Sequence, residues 1–546
     1  MKSIKILGIM AAAMAMTLSS CSDDFLERNP GDALSPATFW KTENDADLAL
    51  TGVYNRLYSP FRPEERWFWD CATDNAFCYH RNKDWRSLGD GTMAATGVAV
   101  HDYFTYIELR VCNEYLKEEG NIAWSSEAKR NQYKAEVRMI RAMHLFFRVT
   151  CYGDFPFSED VFETPDEAMV SRTPKADLLA FIKKEMEDVV QYLPEPSATV
   201  RGRINKEAAK AFLTRFYLYT GDYQSAARES NEVIQSGLFQ MPDLTYEESF
   251  LVKNQMNSEV ILSFEHNRDG GFGMWVGEYF PNGYGGWSSI VPTRSLLDTY
   301  ETKNGLTIDE DPTYDPQNPF VGRDPRLRAT IVFPGQTWGI YANQSNYPHG
   351  YPSIEKGSGD YWSDADNATH TGMSFKKFYS DPTEYSNIWS CERNFPMFRY
   401  AEILLSYAEA KVELGQIDAT VYDAIDQVRH RAGLPAVDRT KYASQEKLRE
   451  LVRRERRVEF AYEGLRRDDI IRWGIAKDVM NATIYHMNGT ITDQLNAEGD
   501  YNVRLVDVTD QDVEERRVFT VGKNELMPVP QSAIDANPNL SQNPGY

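Results

Sequence analysis

What most constrains this chain is a plan that occurs twice: an apolar helical stripe, a glycine-containing turn and a second stripe. The first copy runs Asn205-Lys206-Glu207-Ala208-Ala209-Lys210-Ala211 to Tyr219, turns at Thr220-Gly221-Asp222-Tyr223, and resumes through Ala226, Ala227, Val233 and Ile234. The second runs from Arg399 to Gly415, with Ala401, Leu404, Leu405, Ala408 and Val412 on one face, and then from Ala419 to Arg431. Apolar residues three and four apart share one side of a helix and must be covered, so each copy needs a packed neighbour. Other segments carry the same signal. Val137, Ile140, His144, Phe147 and Cys151 predict a helix ended by Gly153 and Pro156, Pro174 to Tyr192 predicts another stopped by Pro194, and Asn44 or Asp45 caps one through Ala46, Leu48, Ala49, Val53 and Leu57. His144 lies on the apolar face and reads as a core histidine rather than a ligand.

Between about 240 and 395 the texture changes to Gly, Pro, Asn and aromatic residues, as in Phe272-Gly273-Met274-Trp275 and Tyr284-Gly285-Gly286-Trp287. A loop-rich stretch this long inside a compact domain points to function. No Ser/Gly-rich or charged linker bounds it. The expectation is therefore one mainly α domain over residues 21–546, with an N-terminal part to about 240, a loop-rich insertion from about 240 to 395 and a C-terminal helical part from about 395. Each helix–turn–helix pair resembles a tetratricopeptide unit, so the pairs are expected to form a scaffold carrying a large loop-rich lobe.

Lys2 and Lys5 precede an apolar run from Ile6 to Leu18 that ends in Leu18-Ser19-Ser20-Cys21. This describes a secretory signal over residues 1–20. The last four residues resemble a lipobox, which makes Cys21 the lipidated first residue; the alternative is an ordinary signal peptide followed by a chance cysteine. Several acyl chains on one cysteine anchor stably where one chain does not. No later stretch approaches 18 uninterrupted apolar residues, so the lipid is the expected membrane contact. The formal charge is −22, which disfavours nucleic acid and densely sulfated ligands. Cys71, Cys78, Cys112, Cys151 and Cys391 remain. An odd number cannot all pair internally, Cys71 and Cys78 could close a small loop, and no spacing fits zinc. Cys151, on the apolar stripe, reads as a buried thiol.

Catalytic motifs are missing: there is no Gly-x-Ser-x-Gly elbow, no P-loop and no His-Glu-x-x-His. The 81 acidic residues offer no way to select a carboxylate pair for glycoside hydrolysis. Asp309-Glu310-Asp311 with Asp315 could offer oxygens to a structural Ca²⁺, but a solvated loop is the simpler reading and no cofactor is expected. Leu451, Val458, Tyr462 and Leu465 place Glu455 in an apolar sector, where Arg454, Arg456 and Arg457 point to a packing and ion-pair network rather than to an anion site or catalytic carboxylates. Glu450 and Arg454 have the spacing of an i, i+4 pair. Sugar binding calls for flat aromatic faces and polar groups on loops held by a rigid scaffold. One candidate cluster spans Trp67-Phe68-Trp69, Asp74-Asn75 and Tyr79 to Trp85. The other comprises Tyr279, Tyr284 and Trp287, with Trp338, Tyr341 and Tyr347. Trp85, Tyr284 and Trp287 are taken as stacking platforms and Arg81 and Asn82 as polar contacts; the bland alternative for each ring is the core.

With these readings in place, the ordered blocks carry a resemblance along nearly the whole chain. They are Phe25-Leu26-Glu27, Phe39-Trp40, Gly52-Val53-Tyr54-Asn55, Tyr152-Gly153-Asp154-Phe155-Pro156, Gly202-Arg203-Ile204-Asn205, Arg323-Asp324-Pro325-Arg326-Leu327, Arg399-Tyr400-Ala401-Glu402, Arg454-Glu455-Arg456-Arg457-Val458-Glu459-Phe460, and the closing Asn537-Pro538-Asn539-Leu540 and Asn543-Pro544-Gly545-Tyr546. The chain resembles SusD/RagB-type outer-membrane lipoproteins of Bacteroidetes, and the acidic Ser22-Asp23-Asp24 resembles their surface-export signal. The resemblance implies a non-enzymatic protein on the cell exterior that captures glycan and hands it to a TonB-dependent, SusC-like barrel. Capture of peptides, as in RagB-like relatives, and a surface glycoside hydrolase are the alternatives. The two closing Asn-Pro turns read as a clamp that docks the tail.

Overall fold

The computed structural model describes residues 39–57, 66–80, 84–271, 273–339, 350–362, 367–379, 382–385 and 387–546. The leader and Cys21 lie outside these residues. The longest helices are α1 (Glu43–Leu57), α2 (Ile107–Glu118), α3 (Glu127–Tyr152), α4 (Lys175–Val189), α5 (Lys206–Thr220), α6 (Tyr223–Ser236), α7 (Tyr400–Glu413), α8 (Ala419–Arg431), α9 (Gln445–Glu459) and α10 (Arg466–Arg472). Their ends follow from local chemistry. Ser126 accepts the Lys129 N–H to open α3, and Gly153, at φ 73°, closes it. Asn205 opens α5 and Asp222 opens α6 in the same way, and Gly221 between them sits in the left-handed region that a turn this tight requires.

These helices form a continuous array: α3 packs on α2 and α4, α6 joins α5 to α7, and α7 packs on α8 and α9. Ala401, Leu404, Leu405, Ala408 and Val412 are buried as expected, whereas on α1 the buried face is Ala46, Leu50, Val53 and Leu57, and Leu48, read as part of that stripe, is exposed. Fully burying Leu404, Leu405 or Val412 contributes about 1.5–3 kcal/mol each. His144 is in the core, and burial holds its imidazole well below the ordinary histidine range. The five described cysteines are buried free thiols.

The strands are short and paired in twos. In chain order the principal ones are β1 (Ala76–Cys78), β2 (Val260–Phe264), β3 (Ile290–Pro292), β4 (Phe395–Arg399), β5 (Thr483–Tyr485), β6 (Gly489–Leu495), β7 (Tyr501–Leu505) and β8 (Val513–Arg516). Antiparallel β2–β4 pairs Val260 with Arg399 and Phe264 with Phe395, which brings the two ends of the loop-rich lobe side by side. Antiparallel β1–β3 pairs Cys78 with Ile290 and ties that lobe to the N-terminal part. Past Met480 the expected helical run gives way to β5–β8. There β-branched and aromatic residues cluster at Thr483-Ile484-Tyr485 and Thr490-Ile491-Thr492, and Gly499 supplies a positive φ in the β6–β7 turn.

Two structural readings take definite form. The Arg-Glu-Arg-Arg block of α9 is an ion-pair network. Glu455 pairs with Arg326 (2.9 Å) and Arg429, and Glu459 with Arg399 (2.6 Å), Arg326 (3.2 Å) and Arg431. Arg456 holds Asp469 (3.1 Å) and Arg457 holds Asp74 (2.9 Å). Arg454 turns inward to Glu301 (2.7 Å), leaving Glu450 to Lys447 (3.1 Å), so the expected i, i+4 pair does not form. A buried carboxylate offers a guanidinium more than a solvated one does. At the other end of the chain, the Asn543 amide donates to the carbonyls of Tyr152 (3.0 Å) and Met527 (2.6 Å), and Asn537 and Asn539 donate to Val170 (2.9 Å) and Met169 (2.7 Å). The two turns are the expected clamp.

Candidate functional site

The two aromatic clusters proposed from sequence separate cleanly. Trp67, Trp69 and Trp85 are core rings. Trp85, 2% exposed, opens the short helix Trp85–Asp90 and stacks on Phe68 (5.6 Å, 20°) with its edge to Trp69 (5.3 Å, 78°). It cannot serve as a stacking platform. The turn residues before it had suggested a loop ring, but the adjacent Trp67-Phe68-Trp69 run gives its faces better cover than water. Tyr279 is likewise buried, edge-on to Trp67 at 4.4 Å. Trp338 is partly buried against the core beneath the Lys376 ammonium. Arg81, Asn82, Tyr341 and Tyr347 lie outside the described residues, as does the Tyr284 side chain.

Trp287 is 38% exposed and does not stand alone. Trp275, 43% exposed, lies 6.1 Å from it (66°), and Trp389 lies 4.9 Å from it (54°) and 5.4 Å from Trp275 (60°). Three stretches distant in sequence are pinned together through their backbones. Met274 and Cys391 exchange N–H···O bonds of 2.7 and 2.9 Å, Val276 and Gly277 donate to the Ile388 carbonyl at 2.9 and 2.8 Å, and Trp287 donates to Gly277 at 3.1 Å. Gly277 leaves room for the Trp389 ring, which a Cβ there would meet at 2.5 Å and push aside. The indoles are thus placed by hydrogen bonds behind them, which leaves ring area open in front.

Beside this wall is a cavity of about 240 Å³ to which Trp287 also contributes. His80, Glu278, Ser289 and Asn367 supply its polar lining. Glu278 is 6% exposed, and its carbonyl accepts the Ser289 N–H at 2.9 Å, so both polar side chains hang from one backbone pair. His80 lies edge-on to Trp287 at 6.5 Å. Next to it, Tyr79 stacks on His370 (3.7 Å, 16°), whose Nδ1 is 3.0 Å from Glu514. A larger cavity of about 870 Å³ lies near Lys303, Arg328 and Glu498. Its aromatic residues, Tyr246 and Phe320, are buried, and Arg328 is already paired with Asp500 (2.8 Å), so it presents no flat face to a ligand. The acidic run near Asp309 is a braced loop: Asp311 accepts from Thr302 (2.6 Å), Asn304 (2.9 Å) and Thr313 (2.6 Å), and Glu310 pairs with Lys441 (2.5 Å). The oxygens of Glu310 and Asp311 are thus held by the protein's own donors. Trp275, Trp389 and Glu278 were not picked out from sequence as site residues. For Trp275 the only signal was its glycine-rich setting.

A helical scaffold displaying an open indole wall on loops is an arrangement that suits ligands with flat apolar faces and polar edges. The comparisons name the class. The profile of the SusD family matches residues 258–546, and one described as starch-binding associating with outer membrane matches residues 24–218. The chain belongs to the SusD family. It is 23% identical to SusD-like protein P2 of Formosa agariphila over the full length of both, and 24% identical to the starch-binding protein SusD of Bacteroides thetaiotaomicron over 77% of this chain and 74% of that one. Among solved structures, a SusD-like carbohydrate-binding protein from Bacteroides fragilis superposes with a TM-score of 0.78 at 29% identity, covering 92% of this chain and all of the other. Among the described residues no helix is long and apolar enough to cross a membrane.

Proposed function

We propose that this chain is a cell-surface lipoprotein, anchored through acylated Cys21 and facing the exterior of the outer membrane, that binds an oligo- or polysaccharide and delivers it to a TonB-dependent, SusC-like transporter. The observation that carries the binding role is the wall of Trp275, Trp287 and Trp389, with ring area open to solvent on a lobe tied to a rigid helical array. Sugar C–H faces stack on such rings while edge hydroxyls reach polar groups beside them. Arg81, Asn82 and Tyr284 adjoin His80 and Trp287 along the chain, and they remain part of the proposal as further contacts. The carbohydrate- and starch-binding descriptions of the relatives support the same ligand class. The transporter and the anchor rest on the family and on the leader sequence.

The proposal is a binder rather than a hydrolase. Glycoside hydrolysis takes two carboxyl groups across the scissile bond, and Glu278 is the single carboxylate among the described residues lining the cavity. Calorimetric titration of the soluble chain beginning after Cys21 against a glycan panel, with product analysis of the same samples, tests this. Binding should occur without new reducing ends, and Trp287→Ala should weaken it by about tenfold or more, the scale of a hot-spot aromatic. New reducing ends would overturn the reading. Binding of peptides and of no glycan would move the protein to the RagB-like alternative.

A further inference from the structure

We infer that the solvent edge of the α9 arginine network is a second binding site, one that takes a single small oxyanion: a carboxylate, phosphate or sulfate group. Inward, these arginines hold the fold together; the inference concerns the side they leave open, and it does not depend on the glycan reading above. α9 and α10 border an open groove of about 540 Å³, lined by Arg453, Arg454, Arg457, Arg466 and Trp473. Arg457 stands four residues from Arg453 and three from Arg454, so α9 itself gathers three of the four guanidinium groups on one side.

Their counter-charges are too few. Asp74 is shared by Arg457 and Arg466 (2.9 Å each). Arg454 shares Glu301 (2.7 Å) with Arg429 (2.9 Å), and Arg453 shares Glu413 (3.4 Å) with Arg449 (2.8 Å). Three carboxylates thus serve four arginines, and two of the three are divided with arginines outside the groove. Burial, which Asp74 only partly offsets, pulls the Arg457 guanidinium down to about 10, and burial also lowers that of Arg453.

Donors are left over as well. Arg454 spends Nε and Nη2 on Glu301 and Tyr442, Arg466 spends the same two nitrogens on Asp74, and Arg453 spends Nη2 alone, on Glu413. The Nη1 groups of all three have no acceptor among the described residues, and the Arg453 Nε is buried without one. An oxyanion is the group that takes several such N–H bonds at once. Trp473 holds the donors ready: the Arg453 and Arg466 guanidinium groups lie 4.9 and 5.8 Å from its ring, and its own N–H is fixed by Glu409 (2.6 Å). Groups already held in place lose little freedom when a ligand bridges them.

The surroundings limit the ligand's charge. Asp298 and Asp309 line the same groove. Asp298 is paired with Arg294 (2.7 Å), whereas Asp309 is exposed and has no cation among the described residues. A polyanion would meet Asp309 and the field of a chain at −22. A lone oxyanion on the arginines meets chiefly them, since salt screens charges beyond roughly 8–10 Å.

The test is calorimetry of the soluble chain beginning after Cys21, at constant ionic strength in chloride. The probes are inorganic phosphate, sulfate, galacturonate and, as its uncharged counterpart, galactose. Arg453→Ala should weaken oxyanion binding by about tenfold, the scale of losing a hydrogen bond to a charged group. Asp309→Asn should strengthen it by about threefold, and this exposed position stands in if Arg453→Ala unfolds. Binding of all three anions would support a site for oxyanions in general, and binding of galacturonate alone would support one for an acidic sugar. Absence of any oxyanion binding above chloride would overturn the inference. So would binding that neither Arg453→Ala nor Asp309→Asn alters, or galactose bound as tightly as galacturonate and equally sensitive to Arg453→Ala.

Discussion

Around Trp85 the neighbouring ring centroids of Phe68, Trp69 and Tyr103 lie 5.6, 5.3 and 5.8 Å away, and around Trp287 those of Trp389, Trp275 and His80 lie 4.9, 6.1 and 6.5 Å away. Ring spacing therefore does not tell the two clusters apart. What differs is the backbone that carries them. Trp85 and its partners sit on short helical turns pressed against the helical array, so their faces are consumed in filling space. Trp275, Trp287 and Trp389 sit on loop segments whose N–H and C=O groups hold one another, so the rings need not pack to stay in place. Each cluster also has a carboxyl group nearby. Asp70, on the Trp67–Ala72 turn, is fully buried, and burial pushes its pKa up to about 7 although the Tyr462 N–H donates to it at 2.6 Å. Glu278 instead faces a cavity.

If the clusters have these different duties, substitutions should separate stability from binding. The largest effect is expected for Trp85→Ala, which leaves a cavity in the core and should cost about 3–5 kcal/mol in chemical denaturation. Binding by the folded fraction should be unchanged, and a direct loss of affinity would merge the two clusters. Next is Asp70→Asn. The raised pKa means that the folded state keeps a proton the unfolded chain has released, so wild-type stability falls as pH rises from about 4 to about 7, at about 1.4 kcal/mol per unit while the two states differ. The advantage of Asp70→Asn over wild type should therefore grow to roughly 2–4 kcal/mol across that window and stay level above it. A constant difference between the two melting curves would contradict the assignment. Trp389→Ala should do the reverse of Trp85→Ala, weakening glycan by about tenfold, or about 1.4 kcal/mol, with little change in denaturation. The smallest effect is expected at Gly277→Ala. Its new methyl displaces the Trp389 ring and should weaken binding by about threefold, or roughly 0.6 kcal/mol, with the Trp389→Ala background abolishing the difference.

The helical array was readable because its information is local. A stripe such as Ala401–Val412, a cap such as Asn205 and a stop such as Gly221 each act within one or two turns. The ion-pair block was readable as a type, since a carboxylate among apolar residues must find cations. Its partners were not: Arg454 takes Glu301 and not Glu450, a choice made by tertiary proximity. The site was harder still. Trp85 and Trp287 both stand among glycines and polar residues, and nothing near either one records that the first will open a helix and the second will be held by Gly277, itself bound to Ile388 more than a hundred residues later. Exposure of a ring is decided by such distant pairings, and for the same reason Trp389 passed unnoticed.

The β2–β4 ladder has a consequence for how this binding face can change. The chain departs for the lobe at Phe264 and comes back at Phe395, and those two residues lie opposite one another in the same ladder. The scaffold thus sees a departure and a return at fixed points, whatever length of chain lies between. Doubling a flexible loop costs only about 0.6 kcal/mol of closure entropy, and the helical array does not have to shift to absorb an insertion. Within such a frame a protein can be refitted for a new polymer by rewriting loops, provided that an altered lobe keeps the β1–β3 register and the Arg326 and Glu301 ion pairs to α9.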